Sequence, residues 1–235
     1  MKISIIIPTY NEKGNLIKLI KEIEKKLKKF SYEIIVIDDD SQDLTGKIAK
    51  KIFNKNKRIK IFIRKKRGGL ASAILFGIKK SKGEIIIGMD ADFNHPPQLI
   101  SKLIKNLKNN DLVIASRFIN GGGMEEKLRY FFTFLFNLFL KYILGFPTMD
   151  NMSGFYAIKK EKLKILSLEK IYQGYGEYHL RLVWYTKKSN FKIKEIPVYY
   201  QKRRYGKSKS NLIKMLLKYT IEALKLKVFN KNFLL

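Results

Sequence analysis

Residues 84–97 read EIIIGMDADFNHPP, a short apolar run that breaks into two aspartates, an asparagine, a histidine and two prolines. A brief apolar run bounded by turn-forming residues is the pattern of a buried strand. The abrupt polar end puts Asp90 and Asp92 where that strand stops. Two carboxylates at alternate positions can face one cation, and hard oxygen ligands suit Mg²⁺ or Mn²⁺. A bare Asp-x-Asp pair is common and usually means two solvated aspartates. This pair gains its meaning from the pattern around it.

Working outward, KISIIIP (2–8), YEIIVIDDD (32–40), RIKIFIR (58–64) and DLVIASR (111–117) read as further strands. Between them, 15–30, 44–53, the stretch LASAILFGIKKS and the stretch PQLISKLIKNL place apolar residues at helical spacing. Regular strand–helix alternation predicts an α/β fold with a Rossmann-like, mostly parallel sheet flanked by helices. Ligands on such sheets bind beyond the carboxyl ends of the strands. Pro8 to Glu12, Asp38 to Asp40, Arg67 to Gly69, Asp90 to His95 and Arg117 all fall at those ends. Their convergence turns the aspartate pair into a candidate metal site.

Composition limits the rest. The 235 residues suit a catalytic domain over 1–211 with an amphipathic C-terminal segment over 212–235. There is no cysteine, so disulfide and thiolate chemistry are excluded and a reducing compartment fits. MKISIIIPTY runs straight into polar NEKGN and reads as a first strand rather than a signal peptide. The formal charge of +29 predicts attraction to nucleic acid, an anionic membrane or phosphorylated substrates, although a lysine-rich compositional bias contributes to it. Nucleic-acid readers interleave aromatics with basic residues. Here the aromatics gather in YFFTFLFNLFLKYILGF (130–146), so a nucleic-acid partner is not expected.

The blocks IIIPTYNEKGNL, EIIVIDDDSQD, KRGGLASAILFGI, MDADFNHPP, IASRFINGGG, MSGFYAIKK and EIPVYYQKRRYGKSK stand in the order and spacing of family 2 glycosyltransferases. Within that family the chain most resembles the dolichyl-phosphate mannose synthases. The resemblance runs from residue 2 to about residue 212. It implies a GT-A fold, a nucleotide-sugar donor, a divalent metal (Mg²⁺ or Mn²⁺) and a polyprenyl or dolichyl phosphate acceptor. Pro8, Tyr10, Glu12, Ile37 and Asp39 match the pocket for the base and ribose. Asp90, Ala91 and Asp92 match the metal and diphosphate segment. Asn94 replaces a usual glutamine, and its shorter amide is expected to reach the metal through water. Arg117, Arg129, Arg203 and Lys209 match the basic residues that meet phosphates, with Arg203 and Lys209 also on the donor side. Two blocks depart from the family pattern: Tyr156 stands where SGFR has arginine, and DDSQD replaces DNSPD.

These matches predict an inverting transfer of mannose from GDP-mannose to a dolichyl (polyprenyl) phosphate, with Asp92, Arg117, Arg129 and Arg203 as the catalytic set. A carboxylate suits guanine because it accepts from N1–H and N2–H₂ together. A phosphate monoester with a second pKa near ~6 is already an anionic nucleophile and needs no general base. Arginine forks then hold its charge. UDP-glucose as donor is the alternative, and a non-catalytic basic module binding membrane or nucleic acid is the second. Glu177 is expected to orient a loop or the sugar. His95 and His179 are too few for zinc, and His95 is expected to brace the metal loop.

The 130–146 stretch is too short and too interrupted, by Asn137 and Lys141, to span a bilayer that requires about 20 apolar residues. It reads either as a buried core helix or as a helix lying in the membrane interface. The interface reading predicts a peripheral or monotopic enzyme on the cytoplasmic face of a membrane, with the lysine-rich tail on anionic lipid. That placement leaves room for a membrane-anchoring partner subunit.

Overall fold

The computed structural model describes residues 1–201 and 212–229. Its first half follows the alternation in the sequence: β1 (Lys2–Thr9), α1 (Leu16–Lys26), β2 (Ser31–Asp38), α2 (Thr45–Ile52), β3 (Ile59–Ile63), α3 (Leu70–Lys80) and β4 (Ile85–Gly88). A 3₁₀ turn at Pro97–Leu99 leads into α4 (Ile100–Leu107), then β5 (Leu112–Ser116) and the short β6 (Gly123–Met124). The second half holds α5 (Lys127–Leu138), a π-helical turn at Phe139–Ile143, β7 (Tyr156–Lys159), α6 (Lys160–Ile165), α7 (Leu168–Ile171) and α8 (Glu177–Lys188). β8 (Ile193–Pro197), β9 (Tyr199–Tyr200) and α9 (Leu212–Phe229) complete it.

Strands β1 and β2 are isoleucine-rich on both faces because both faces are covered. Ile3, Ile5 and Ile7 pack with Leu19, Ile23 and Leu103 on one side of the sheet. Ile6, Ile35 and Ile37 pack with Ile74, Ile78 and Ala71 on the other. β-branched chains suit this two-sided burial, and each fully buried one contributes roughly 1.5–3 kcal/mol. The polar residues in these rows, Ser4 and Glu33, are buried with each other as partners at 2.6 Å. Three layers result, helix on sheet on helix.

The seven-stranded sheet runs β3-β2-β1-β4-β7-β5-β8. β7 pairs antiparallel with both β4 and β5, and the other pairings are parallel. The chain runs from β1 outward to β2 and β3, then returns to place β4 on the other side of β1. That reversal opens a crevice at the carboxyl ends of β1 and β4, where such sheets take ligands. It brings Pro8 and Tyr10 beside Asp90 and Asp92.

The apolar stretch folds in an unexpected sense. In α5 and its π turn, the deeply buried residues are Thr133, Asn137 and Leu140, whereas Leu128, Phe131, Phe132 and Leu135 are exposed. Asn137 accepts the Asn151 N–H at 2.8 Å and donates to Thr133 O at 2.8 Å. The residue that interrupts the apolar run is therefore its anchor. Among the described residues no helix is long and apolar enough to cross a membrane.

Candidate active site

Each strand end around the crevice is shaped by local hydrogen bonds. At the end of β2, Asp39 accepts the N–H groups of Gly68 (2.9 Å) and Gly69 (2.7 Å) and pairs with Arg64. This fastens the loop before α3, and Gly69 adopts φ +90, a left-handed value that favours glycine. Beyond β1, Glu12 is buried, accepts from Asn15 Nδ2 at 2.7 Å and donates its own N–H to Thr45 Oγ1 at 2.9 Å. Arg67 lies over the Tyr10 ring at 4.0 Å. Pro8, Tyr10, Glu12 and Asp39 line one cavity of ≈ 180 Å³ together with Ala91. Ile37 does not reach it. Fully buried, Ile37 presses on α3 where a Cβ at Gly77 would sit 2.6 Å away, so it supports the wall from behind.

Beyond β4, Asp90 and Asp92 part company. The Asp90 side chain is 41% exposed, whereas Asp92 is buried at 3%. Asn94 donates its N–H and its Nδ2 to the two Asp92 oxygens, each at 3.1 Å, and so orients that carboxylate from behind. The Asp90 N–H donates to His95 Nδ1 at 2.8 Å, which leaves the proton on Nε2 to reach Ser153 O at 3.1 Å. His95 stacks on Phe155 at 4.9 Å and braces the loop as expected. Among the described residues no three acidic, histidine or cysteine side chains converge on a metal-binding geometry. Two aspartates facing the crevice nevertheless match how Mg²⁺ and Mn²⁺ are commonly held, by one or two carboxylates with substrate phosphates and water as the other ligands.

Asp90, Asp92, Leu70 and Tyr175 also line a second cavity of ≈ 180 Å³, so the aspartates stand at the junction of the two. Arg129, Glu126 and Asn94 are on its walls, with His179 and Tyr178 from α8 and Tyr219 from α9. Arg117 lines it too, but its fork is engaged. Nε and Nη2 grip the two Asp150 oxygens at 2.7 Å, and its N–H adds a third bond at 3.0 Å. Burial alone would depress the Arg117 guanidinium, but Asp150 outweighs it and holds the group raised. Burial likewise favours protonated Asp150, and Arg117 overrides it to keep that carboxyl below the usual range. Arg117, expected as a phosphate clamp, lines the cavity while Asp150 holds one edge of its guanidinium in a buried pair that fixes the 148–153 loop. Arg203 and Lys209 lie outside the described residues.

Sequence reasoning missed Asp150, Tyr175, Glu126 and Tyr219. Tyr175 sits in a turn held by Glu177, whose Oε2 accepts the Tyr175 N–H at 2.9 Å. Tyr219 reaches the cavity only because Gly176 has no side chain: a Cβ there would stand 1.7 Å from its hydroxyl. No local pattern announces such contacts. His179 is fully buried, neither ring nitrogen has a hydrogen-bond partner among the described residues, and burial pushes its pKa down to about 4.

A sequence model described as glycosyl transferase family 2 matches residues 4–166. The chain is 36% identical to a dolichol-phosphate mannosyltransferase of Pyrococcus furiosus over 89% of its own length and 59% of that protein's, so it spans well under two thirds of that relative. It is 29% identical to a polyprenol monophosphomannose synthase of Mycolicibacterium smegmatis, over 87% of this chain and 79% of the other. Among solved structures, a glucosyl-3-phosphoglycerate synthase from Mycobacterium tuberculosis with Mn²⁺ and UDP-glucose superposes with TM-score 0.73 at 19% identity, covering 98% and 80% of the two chains. Another structure of that synthase holds Mn²⁺, UDP and phosphoglyceric acid, at TM-score 0.72 and 19% identity over 97% of this chain and 78% of that one.

These ligands overturn the expected partners GDP-mannose and dolichyl (polyprenyl) phosphate: the structural relatives bind UDP, UDP-glucose and phosphoglyceric acid. The geometry explains the error. The guanine reading rested on a carboxylate in the base pocket; Asp39 is taken up by Arg64, Gly68 and Gly69, and Glu12 accepts from Asn15. The shared motifs cover the base pocket as well as the metal segment, but family motifs by themselves do not select one base or one sugar. By its sequence match and its GT-A architecture, the chain belongs to glycosyl transferase family 2.

Proposed function

We propose that the protein transfers glucose from UDP-glucose to the phosphate of a phosphomonoester acceptor, with inversion at the anomeric carbon. The observation that carries this reading is the placement of Asp90 and Asp92 at the junction of two cavities, one for the donor and one for the acceptor. The donor cavity is small, and away from the two metal-site aspartates its carboxylates have protein partners: Asp39 holds Arg64, Gly68 and Gly69, and Glu12 accepts from Asn15. Base recognition therefore falls to Tyr10, Arg67 and the backbone, which suits a single-ring base. A divalent cation bound at Asp90 and Asp92 would neutralise the diphosphate leaving group. Asn94 keeps the Asp92 oxygens aimed, and His95 fixes the backbone of Asp90. Arg129 on the acceptor wall supplies positive charge to the incoming phosphate.

The experiment is a matrix of UDP-glucose and GDP-mannose against phosphoglycerate and a polyprenyl phosphate, with and without Mn²⁺. Preferential transfer from UDP-glucose, abolished by chelator, is expected. Preferential transfer from GDP-mannose would overturn the donor assignment. Glu126→Gln separates the two modes of attack. A phosphate oxygen needs no base, so the rate should hold within about threefold. A loss of 100-fold or so would reassign attack to a hydroxyl with Glu126 as general base.

We further infer peripheral attachment to the cytoplasmic face of a membrane. The exposed stripe Leu128, Phe131, Phe132 and Leu135 on α5 supports this, as does the row Ile213, Leu217, Ile221 and Val228 on α9. Lys227 donates to Ile143 O at 2.7 Å, which ties the end of α9 to the end of the α5 segment. Exposed apolar rows of this extent are costly in water and suit an interface.

A further inference from the structure

At the opposite end of the sheet from the aspartates, the starts of β1 and β4, the end of β7 and one side of α4 enclose a groove of ≈ 970 Å³. Its floor is apolar, from Ile85, Ile104 and Leu107. Its rim carries six lysines (Lys82, Lys105, Lys108, Lys159, Lys160 and Lys164) against two glutamates, Glu84 and Glu161. Lys159 pairs with Asp111 at 3.5 Å, but Lys82, Lys105, Lys108 and Lys164 have no ion pair among the described residues. The walls are rigid. Glu33 holds the Lys82 N–H at 2.5 Å, Ser4 Oγ holds the Gly83 N–H at 2.8 Å, and Lys160 Nζ holds Ser81 O at 2.5 Å. Burial, then repulsion from Lys164, lowers the pKa of Lys160, so the rim is crowded with like charge.

We propose that this groove binds a small amphipathic anion, with an apolar body against half-buried Ile104 and the aliphatic lysine stems, above buried Ile85 and Leu107, and a phosphate or carboxylate head among Lys105, Lys160 and Lys164. A volume near the upper end of about 300–1,000 Å³ is ordinary for a small-molecule site. An apolar floor with convergent cations selects against both neutral apolar molecules and bare anions. No aromatic side chain lines the groove, so it offers no platform for stacking nucleobases. It shares no lining residue with either cavity at the aspartates.

Lysine footprinting on the full chain tests this, with amine acylation read by mass spectrometry and decyl phosphate as probe. Acylation of Lys105 and Lys164 should slow by about fivefold, a modest charge-plus-burial effect. Lys25 and Lys50 on the distant helices should react unchanged. Inorganic phosphate and decanol should each protect less than twofold or so. In Lys105→Glu/Lys164→Glu, protection at Lys160 should vanish while transferase activity persists. Should that variant not fold, the wild-type comparison of the three probes still decides. Absence of protection by decyl phosphate overturns the proposal, as does equal protection by inorganic phosphate. Protection by an acidic polypeptide but not by decyl phosphate would also overturn it, assigning the face to a macromolecule.

Discussion

Asp92 is the residue on which the proposed chemistry turns, because it is buried, aimed by Asn94 and shared by both cavities. Asp92→Ala should lower transfer by roughly 100-fold or more, the loss of one hard ligand to a leaving group's cation, while circular dichroism stays native. Near-normal turnover would remove it from the mechanism. Glu33 governs stability rather than activity. Burial raises its pKa, but hydrogen bonds from Lys60, Ser4 and the Lys82 N–H outweigh that and hold it at about 2. A folded pKa below the unfolded one adds stability that is full above the unfolded pKa and fades as pH falls through 4.5 toward 2. Glu33→Gln should therefore cost about 2–3 kcal/mol at pH 7, and far less at pH 2, in urea melts. His179 acts in the same direction at higher pH. Its depressed pKa means stability is lost as pH falls from 6.5 toward 4, and His179→Met should flatten that limb.

At the scale of elements, α5 and α9 each depend on one unobvious contact. Asn137→Leu removes the acceptor of the buried Asn151 N–H and should destabilise by about 1–3 kcal/mol, measured by thermal melting. A hydrophobicity argument alone predicts the reverse, since leucine extends the apolar run. α9 is seated by Tyr219, Ala223 and Leu226 and by the Arg181–Glu222 pair at 2.7 Å. Gly176→Ala should push Tyr219 out of the second cavity, because the new Cβ has no room. Hydrogen exchange across 212–229 should then quicken, and unchanged protection would show that the helix is held elsewhere. Element positions were largely legible in advance: the strands over 2–8, 32–40, 58–64, 84–90 and 111–117 match β1 to β5 within a few residues. β7 was not legible. YAIK is too short to carry a pattern, and its antiparallel insertion between β4 and β5 is decided by the whole sheet.

Across the whole molecule, the exposed apolar rows of α5 and α9 and the lysine rim of the groove lie in two separate places. Binding to anionic vesicles should fall with salt, because each lysine near the surface contributes roughly 1 kcal/mol that ions screen. Phe131→Asp/Phe132→Asp should abolish the salt-resistant part without loss of fold, both side chains being exposed. Phe134 behaves differently, packed against Phe118 at 5.6 Å, and a charge there should unfold the protein. If the exposed pair floats with vesicles as well as the wild type does, the interface lies elsewhere.

The sequence by itself determined the α/β alternation, the strand ends that carry function and the aspartate pair, because periodicity and turn chemistry are local properties. It also determined the family, through the order and spacing of its motifs. Only the tertiary structure decided which polar groups are still available to a ligand. Asp39 and Arg117 look like ligand-binding residues in one dimension, but their partners are Gly68 and Gly69 in one case and Asp150 in the other, 29, 30 and 33 positions away. A charged side chain's role depends on what satisfies it, and in a buried site that partner arrives from another strand or loop. The same holds for α5, whose polar face turned inward because Asn151 was there to meet it.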